Sequence, residues 1–248
     1  MYGYRARIGY TSAPSISEAF VHEFYRIAPP GVTLAISTGA VIDLTDEEIA
    51  RGVEQSLEIA KVMARRKVDI IILGGIPLNL WVGYERIGQF LRDLGKEHGV
   101  PFSSSITCQM NALRQVKAQK LVVVQIADPP PAVEPKDDYL AIEGFEVLGT
   151  RGVGVDEDWL ARTPSSRSAA IARQLMEEHP DADTVYIPSP NKATADQIEA
   201  IERDTGANVV TASQSIIWEG LRRTGITEPI YGYGRLFRGP WQGIAFSA

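Results

Sequence analysis

The sequence predicts an α/β protein made of two similar doubly wound halves, each a four-stranded parallel sheet, with a cleft between them. Two observations carry this. Short apolar, β-branched runs alternate with amphipathic stretches, the pattern of βα units around a parallel sheet. Eight such runs begin near Arg7, Val32, Asp69, Pro101, Leu121, Phe145, Thr184 and Asn208, and subtracting the first four starts from the second four gives 114, 113, 115 and 107 residues. Residue identity between the halves is slight, so the near-constant offset marks a duplication of architecture.

Taken in order, the strands read Arg7-Ile-Gly-Tyr-Thr11, Val32 to Ser37, Asp69 to Leu73, Pro101 to Ser105, Leu121 to Gln125, Phe145 to Gly149, Thr184 to Pro188 and Asn208 to Ala212. Several intervening helices carry start signals. Thr45-Asp-Glu-Glu48 can close a capping box, and Ile49, Val53, Leu57, Ala60 and Ala64 then repeat at helical spacing, predicting one buried face. Thr194-Ala-Asp-Gln197 offers a second box ahead of Ile198 and Ile201. The stretch from Trp218 to Ala248, with Gly232, Gly234, Gly239 and Pro240, is too irregular for another βα unit and is expected to return and brace the first half. The expected division is residues 1–115 plus 218–248 for the N-terminal half and 116–217 for the C-terminal half. Parallel strands joined by right-handed crossovers put their C-terminal ends on one edge, and two such edges facing each other make the cleft.

Composition narrows the class. A chain of 248 residues with 44% hydrophobic residues can bury a sizeable core, and a formal charge of −6 spread along it argues against a nucleic-acid or anionic-membrane surface. The expected partner is therefore a small molecule. The lone cysteine, Cys108, cannot form an internal disulfide, the N-terminus lacks the apolar core of a signal peptide, and no apolar run approaches the roughly 20 residues of a spanning helix. The cytoplasm is the expected compartment. Three scattered histidines and one cysteine give no zinc spacing, Gly152-Val-Gly154 lacks the third glycine of a dinucleotide fingerprint, and no phosphate loop appears, so neither metal nor cofactor is expected. Tyr231, Tyr233 and Trp241 in the apolar tail read as packing or subunit contacts, and that tail could seal a homodimer.

Certain segments resemble arylmalonate decarboxylases and maleate isomerases of the aspartate/glutamate racemase superfamily. They are Asp69-Ile-Ile-Ile-Leu-Gly-Gly-Ile-Pro-Leu-Asn-Leu-Trp81, Gly99-Val-Pro-Phe102 leading to Asn111-Ala-Leu-Arg114, Gly206 to Ser213 leading to Trp218-Glu-Gly-Leu-Arg222, and Gly232-Tyr-Gly-Arg235. The similarity runs in order over nearly the whole chain. It implies a site between the halves where two opposed turns each present a cysteine; isomerases of the family use both, and the decarboxylases use the second to protonate an enediolate. In this chain the first position falls on Gly75 and the second on Ser189. A serine hydroxyl is far too weak an acid unless a partner takes its proton, and neither His22, His98 nor His179 is near Ser189 in sequence.

The turns Gly75-Ile76-Pro77 and Ser189-Pro190-Asn191 are poor in donors, because proline has no N–H and Ile76 adds only apolar surface. Asp128, just ahead of Pro129-Pro130-Pro131, stands where relatives carry a tyrosine. Asn79 and Asn191 could grip a polar ligand from two sides or stabilise their own turns. Lys192 reads as a replacement donor, a desolvated base or imine-forming amine, or a solvated lysine, and Asp128 as a general base, a partner of Lys192, a receptor for a cationic ligand group or a loop cap. Thr11 and Ser12 occupy a place where family members contact a carboxylate. Cys108 matches neither family cysteine and reads as a helix-start thiol or a small buried residue.

The resemblance and these departures together imply a cofactor-independent lyase, of decarboxylase or elimination type, acting on a small carboxylate or related polar acid. Ser189, Lys192 and Asp128 would do the work of thiols, and Thr11, Ser12, Gly75, Ile76, Asn79, Pro190 and Asn191 would bind substrate. An isomerase or racemase, a non-catalytic metabolite-binding protein and a hydrolase are the alternatives.

Overall fold

A computed structural model describes residues 2–14, 17–41, 45–128, 138–155 and 157–239. Its strands are β1 (Ala6–Pro14), β2 (Val32–Val41), β3 (Ile70–Leu73), β4 (Phe102–Ser104), β5 (Lys120–Gln125), β6 (Glu146–Gly152), β7 (Thr184–Ile187) and β8 (Asn208–Thr211). All eight begin within one residue of the positions that the apolar runs predict. They form two four-stranded sheets in the orders β2-β1-β3-β4 and β6-β5-β7-β8, with every pairing parallel.

The helices are α1 (Glu18–Ile27), α2 (Asp46–Arg65), α3 (Ile76–Trp81), α4 (Tyr84–His98), α5 (Ser105–Gln115), α6 (Tyr139–Ile142), α7 (Ser165–Glu178), α8 (Ile198–Thr205), α9 (Ala212–Arg223) and α10 (Arg235–Arg238). Thr45 supplies its half of the expected box at α2, its side chain accepting the Glu48 N–H at 3.3 Å. The fully buried line on that helix is Gly52, Ser56, Ala60 and Met63, flanked by the half-buried Val53, Leu57 and Ala64. Small residues on the innermost line let the helix lie close on its sheet, which an apolar periodicity alone does not register.

The predicted box at Thr194 does not form. Residues 194–197 make a turn, α8 starts at Ile198, and the Thr194 and Ala195 amides donate to the carboxylate of Glu23 instead. The box that does form is Thr211 with Gln214, at the start of α9.

The halves share one core. A single buried cluster runs from Tyr10, Phe20 and Ile72 of the first half to Tyr186, Val210 and Trp218 of the second. The helices that follow the last strand of each half, α5 and α9, lie side by side, and α9 packs on β1 and β3. Gly220 is what permits this approach, because a Cβ there would stand 2.9 Å from Ile8 Cδ1. Arg223 completes the crossing by donating to the Phe102 carbonyl at 2.9 Å.

The tail braces both halves, and its heavier anchorage is on the second, where α10 packs on β8 and the Arg235 amide donates to Glu202 at 3.0 Å. Tyr233 reaches the first half by donating to the Arg26 carbonyl at 2.8 Å. Trp241 and Pro129 to Pro131 lie outside the described residues. Among those residues no helix is long and apolar enough to cross a membrane.

Candidate active site

In each sheet the chain leaves the first strand to one side and returns on the other. The strand order therefore reverses between β1 and β3, and again between β5 and β7. At such a switch point the connections diverge and leave a crevice beyond the carboxyl ends of the strands. All ten residues singled out from the sequence lie at these two places: Thr11 and Ser12 at the end of β1, Gly75, Ile76 and Asn79 after β3, Asp128 after β5, and Ser189 to Lys192 after β7.

The first crevice is tightly built. The Gly74 amide donates to both the Thr11 carbonyl, at 2.7 Å, and the Thr11 hydroxyl, at 3.3 Å, so β3 is held against β1 up to the turn. Gly75 caps α3 with φ at 82°, a conformation that favours glycine, and Ile76 begins the helix with Pro77 behind it. Asn79 is 3% exposed and is committed to backbone: its amide donates to the Leu73 carbonyl at 3.4 Å and its oxygen accepts the Ile106 N–H at 3.1 Å. Ser12 pairs with the hydroxyl of Ser17. Thr11, Ser12 and Asn79 thus serve to join β1, β3 and the starts of α1 and α5.

The second crevice holds the unusual chemistry. Lys192 is 1% exposed, and its ammonium donates to the carbonyls of Val124 and Gln125 at 2.8 and 3.2 Å, at the end of β5. No carboxylate pairs with it among the described residues, so desolvation acts unopposed and pulls its pKa down to about 7. Two of its three N–H groups are spent on carbonyls. Ser189 is buried at 8% exposure, and its hydroxyl has no hydrogen-bond partner among the described residues. The Pro190 carbonyl accepts from Ser213 at 3.2 Å, and Asn191 Oδ1 is buried without a partner among the described residues.

Asp128 stands apart from this group. It is exposed and makes no ion pair with Lys192; its backbone amide lies against Gly152, where a Cβ would sit 2.7 Å away. Cys108 also lies elsewhere, fully buried in α5 with its thiol 3.5 Å from Ser103 Oγ. Burial, with the Glu219 carboxylate as a second cause, holds the thiol well above its ordinary range. His22 is exposed on α1, His98 stacks near Phe102 and His179 ends α7, so none reaches either crevice.

Sequence reasoning did not single out Glu23, whose Oε1 accepts the Thr194 and Ala195 amides across the halves. It also passed over Tyr186 and Gln109, joined by a buried hydrogen bond of 2.8 Å, and Glu219, whose carboxylate gathers Ser103 and Asn111 at 2.5 and 2.9 Å. The one available signal for Glu219 was an acidic residue directly after the apolar run Ile216-Ile217-Trp218. A groove of about 930 Å³ lies between α4 and α5, lined by Leu91, Phe102, Met110 and Arg114 among others, and none of the ten candidate residues faces it.

Comparison with known proteins agrees with this architecture. The sequence model of the arylmalonate decarboxylase family matches residues 27–237. Arylmalonate decarboxylase of Bordetella bronchiseptica is 24% identical over 212 residues, covering 84% of this chain and 86% of that protein. Among solved structures, a liganded arylmalonate decarboxylase in which one glycine is changed to cysteine and one cysteine to serine superposes with a TM-score of 0.80. It is 21% identical and covers 94% of this chain and 98% of its own. A cysteine-to-serine variant of the Nocardia farcinica maleate cis-trans isomerase, holding a covalent succinylcysteine intermediate, has a TM-score of 0.78 at 21% identity, with coverages of 94% and 98%.

Proposed function

Because the chain belongs to the arylmalonate decarboxylase family, we propose that it is a cofactor-independent lyase that decarboxylates a small malonate-like acid without using a cysteine. The observation that carries this reading is Lys192, sealed from solvent, unpaired with any carboxylate among the described residues and brought to a pKa of about 7 at the turn after β7. A proton donor works best when its pKa lies near the working pH, and a lysine so displaced can replace a tuned thiol.

In the proposed reaction the bond to the departing carboxylate breaks and its electron pair passes into the remaining carboxylate as an enediolate. The third N–H of Lys192 supplies the proton that forms the new C–H bond, and the neutral amine regains a proton from water that enters the site once the product has left. Ser189, three residues earlier with a free hydroxyl, would donate to the enediolate oxygen. Asp128, which is exposed, is better suited to the rim than to proton transfer. Cys108 is unsuited to the chemistry, since its thiol is enclosed in the core. For the same reason the two-thiol isomerase reading ranks second.

The test is carbon dioxide release from a panel of 2-substituted malonates, with hydroxy acids, amino acids and maleate as further arms. Lys192→Met should lower turnover about a hundredfold or more. Maleate converted to fumarate at ordinary enzyme concentration, with no malonate consumed, would replace the lyase by the isomerase. No turnover of any acid by the wild-type chain would leave a binding protein.

A further inference from the structure

The turn that carries Ser189 and Lys192 is fastened from outside the second half. Glu23 stands in the middle of α1, is 2% exposed, and its Oε1 accepts the backbone N–H groups of Thr194 and Ala195 at 2.5 and 2.7 Å. Those amides precede the first turn of α8 and have no carbonyl of their own to bond, so the carboxylate supplies the acceptor that the backbone lacks. The turn has a second point of attachment, the Ser213 hydroxyl donating to the Pro190 carbonyl at 3.2 Å. Between these two points, Pro190 and Thr194, lies Lys192.

Nothing about Glu23 marks it as half of an ion pair. Among the described residues no cation neutralises it; the charge that acts on it is Asp196, of the same sign, and burial combines with that repulsion to raise its pKa. Ser213 lies near enough to oppose the rise but gives its proton to Pro190. The second carboxylate oxygen, Oε2, and the hydroxyl of Thr194 are both buried without a partner among the described residues. A carboxylate kept in this setting satisfies two specific amides and little else.

We propose that Glu23 is the positioning residue of the reaction: by holding the Thr194 and Ala195 amides from the opposite half, it sets the depth at which Lys192 is kept against the Val124 and Gln125 carbonyls. Length is what this role requires. A side chain one methylene shorter cannot reach both amides, whereas an amide of the same length offers the same acceptor oxygen and can direct its NH2 toward the orphaned Thr194 hydroxyl. The role rests on Lys192 as proton donor, so the test has one arm that needs no substrate.

The experiment compares wild type, Glu23→Gln and Glu23→Asp, each checked for native fold by circular dichroism. It follows the Lys192 titration by NMR of the ¹³Cε-labelled chain, with the resonance assigned by its loss in Lys192→Met, alongside kcat and KM. In Glu23→Gln the Lys192 midpoint should stay near the wild-type value and turnover within about threefold. In Glu23→Asp the midpoint should move up toward the ordinary lysine range, with kcat lowered about tenfold or more and KM changed less than about threefold. A Lys192 midpoint unmoved in Glu23→Asp overturns the proposal. So does loss of turnover in Glu23→Gln with the midpoint unchanged, which would make Glu23 an acid or base in its own right. Should Glu23→Asp not fold, Glu23→Gln decides alone. Wild-type inactivity on every acid sinks the lyase reading only, and the titration still decides for Glu23.

Discussion

The hydroxyl of Tyr186 in β7 donates to Gln109 Oε1 in α5 at 2.8 Å, and Gln109 passes its own amide to the carbonyl and hydroxyl of Ser105 at 3.0 and 3.1 Å. All three residues are fully buried, and the chain of bonds crosses from one half to the other directly beneath the start of α5. Tyr186→Phe leaves the Gln109 oxygen without its donor in the core and should cost about 1–3 kcal/mol. Urea denaturation measures it; a midpoint equal to wild type would mean that another group takes over the acceptor.

Lys192 makes stability depend on pH in a definite direction. Its pKa is about 7 in the folded chain against 10.5 ordinarily, so between those values the unfolded chain holds a proton that the folded one does not. Stability contributed by this group therefore rises with pH from about 7 to about 10.5, and below about 7 the full cost of burying the charge is present. Lys192→Met should remove that slope and, at pH 6, stabilise the fold by roughly 1–4 kcal/mol while lowering activity. Equal pH dependence in the two chains would show that Lys192 keeps its proton on folding.

Glu23 acts in the opposite sense. Its folded pKa is raised, so the folded chain binds the proton more tightly, and stability from this group falls as pH climbs through the interval above the ordinary carboxylate value of 4.5. Glu23→Gln, neutral throughout, should therefore gain on wild type as pH rises across that interval. Parallel stability curves for the two chains would contradict it.

Cys108 should be silent in the native protein. Its enclosure in α5 predicts no reaction with a thiol reagent until the chain unfolds, and Cys108→Ala should leave kcat/KM within about twofold while costing on the order of 1 kcal/mol of packing. Rapid labelling of the folded enzyme with loss of activity would restore a cysteine mechanism.

Gly74 leaves no room for a side chain. A Cβ there would stand 2.1 Å from the Thr11 carbonyl and 2.7 Å from the Tyr10 hydroxyl, so Gly74→Ala should force β3 off β1 and cost about 3 kcal/mol or more. Gly88→Ala is the matched control: it sits in the middle of α4 with only ordinary contacts, and should be neutral or stabilise by about 0.4–1 kcal/mol. Similar losses in both would indicate a general intolerance rather than the close approach at Gly74.

The most legible strands are short runs of buried β-branched residues, as in Ile70 to Leu73, where all four side chains are enclosed. The crossover rule placed the strand ends on one edge of each sheet, whereas the strand order, and with it the two switch points, came only with the fold. What the sequence left out is tertiary. Lys192 resembles a solvated lysine at a helix start, and only the fold puts the ends of β5 around it. Glu23 is one of two acids on α1, and its partners are backbone amides 171 and 172 residues away, invisible in any side-chain pattern. The letters of Thr194 to Gln197 match a capping box, yet the amides at its start are taken by that distant carboxylate. Asp128 read as a site carboxylate by position alone, and its exposure became apparent only with the chain folded.

The last long helix of the chain covers the first sheet, with Gly220 seated on Ile8 and Arg223 on the carbonyl of Phe102. During synthesis, β1 and β3 therefore wait uncovered until residue 223 has left the ribosome, and a fragment ending near residue 115 would expose an apolar face that invites aggregation. For the same reason a hinge opening between the two lobes would have to break the buried cluster they share.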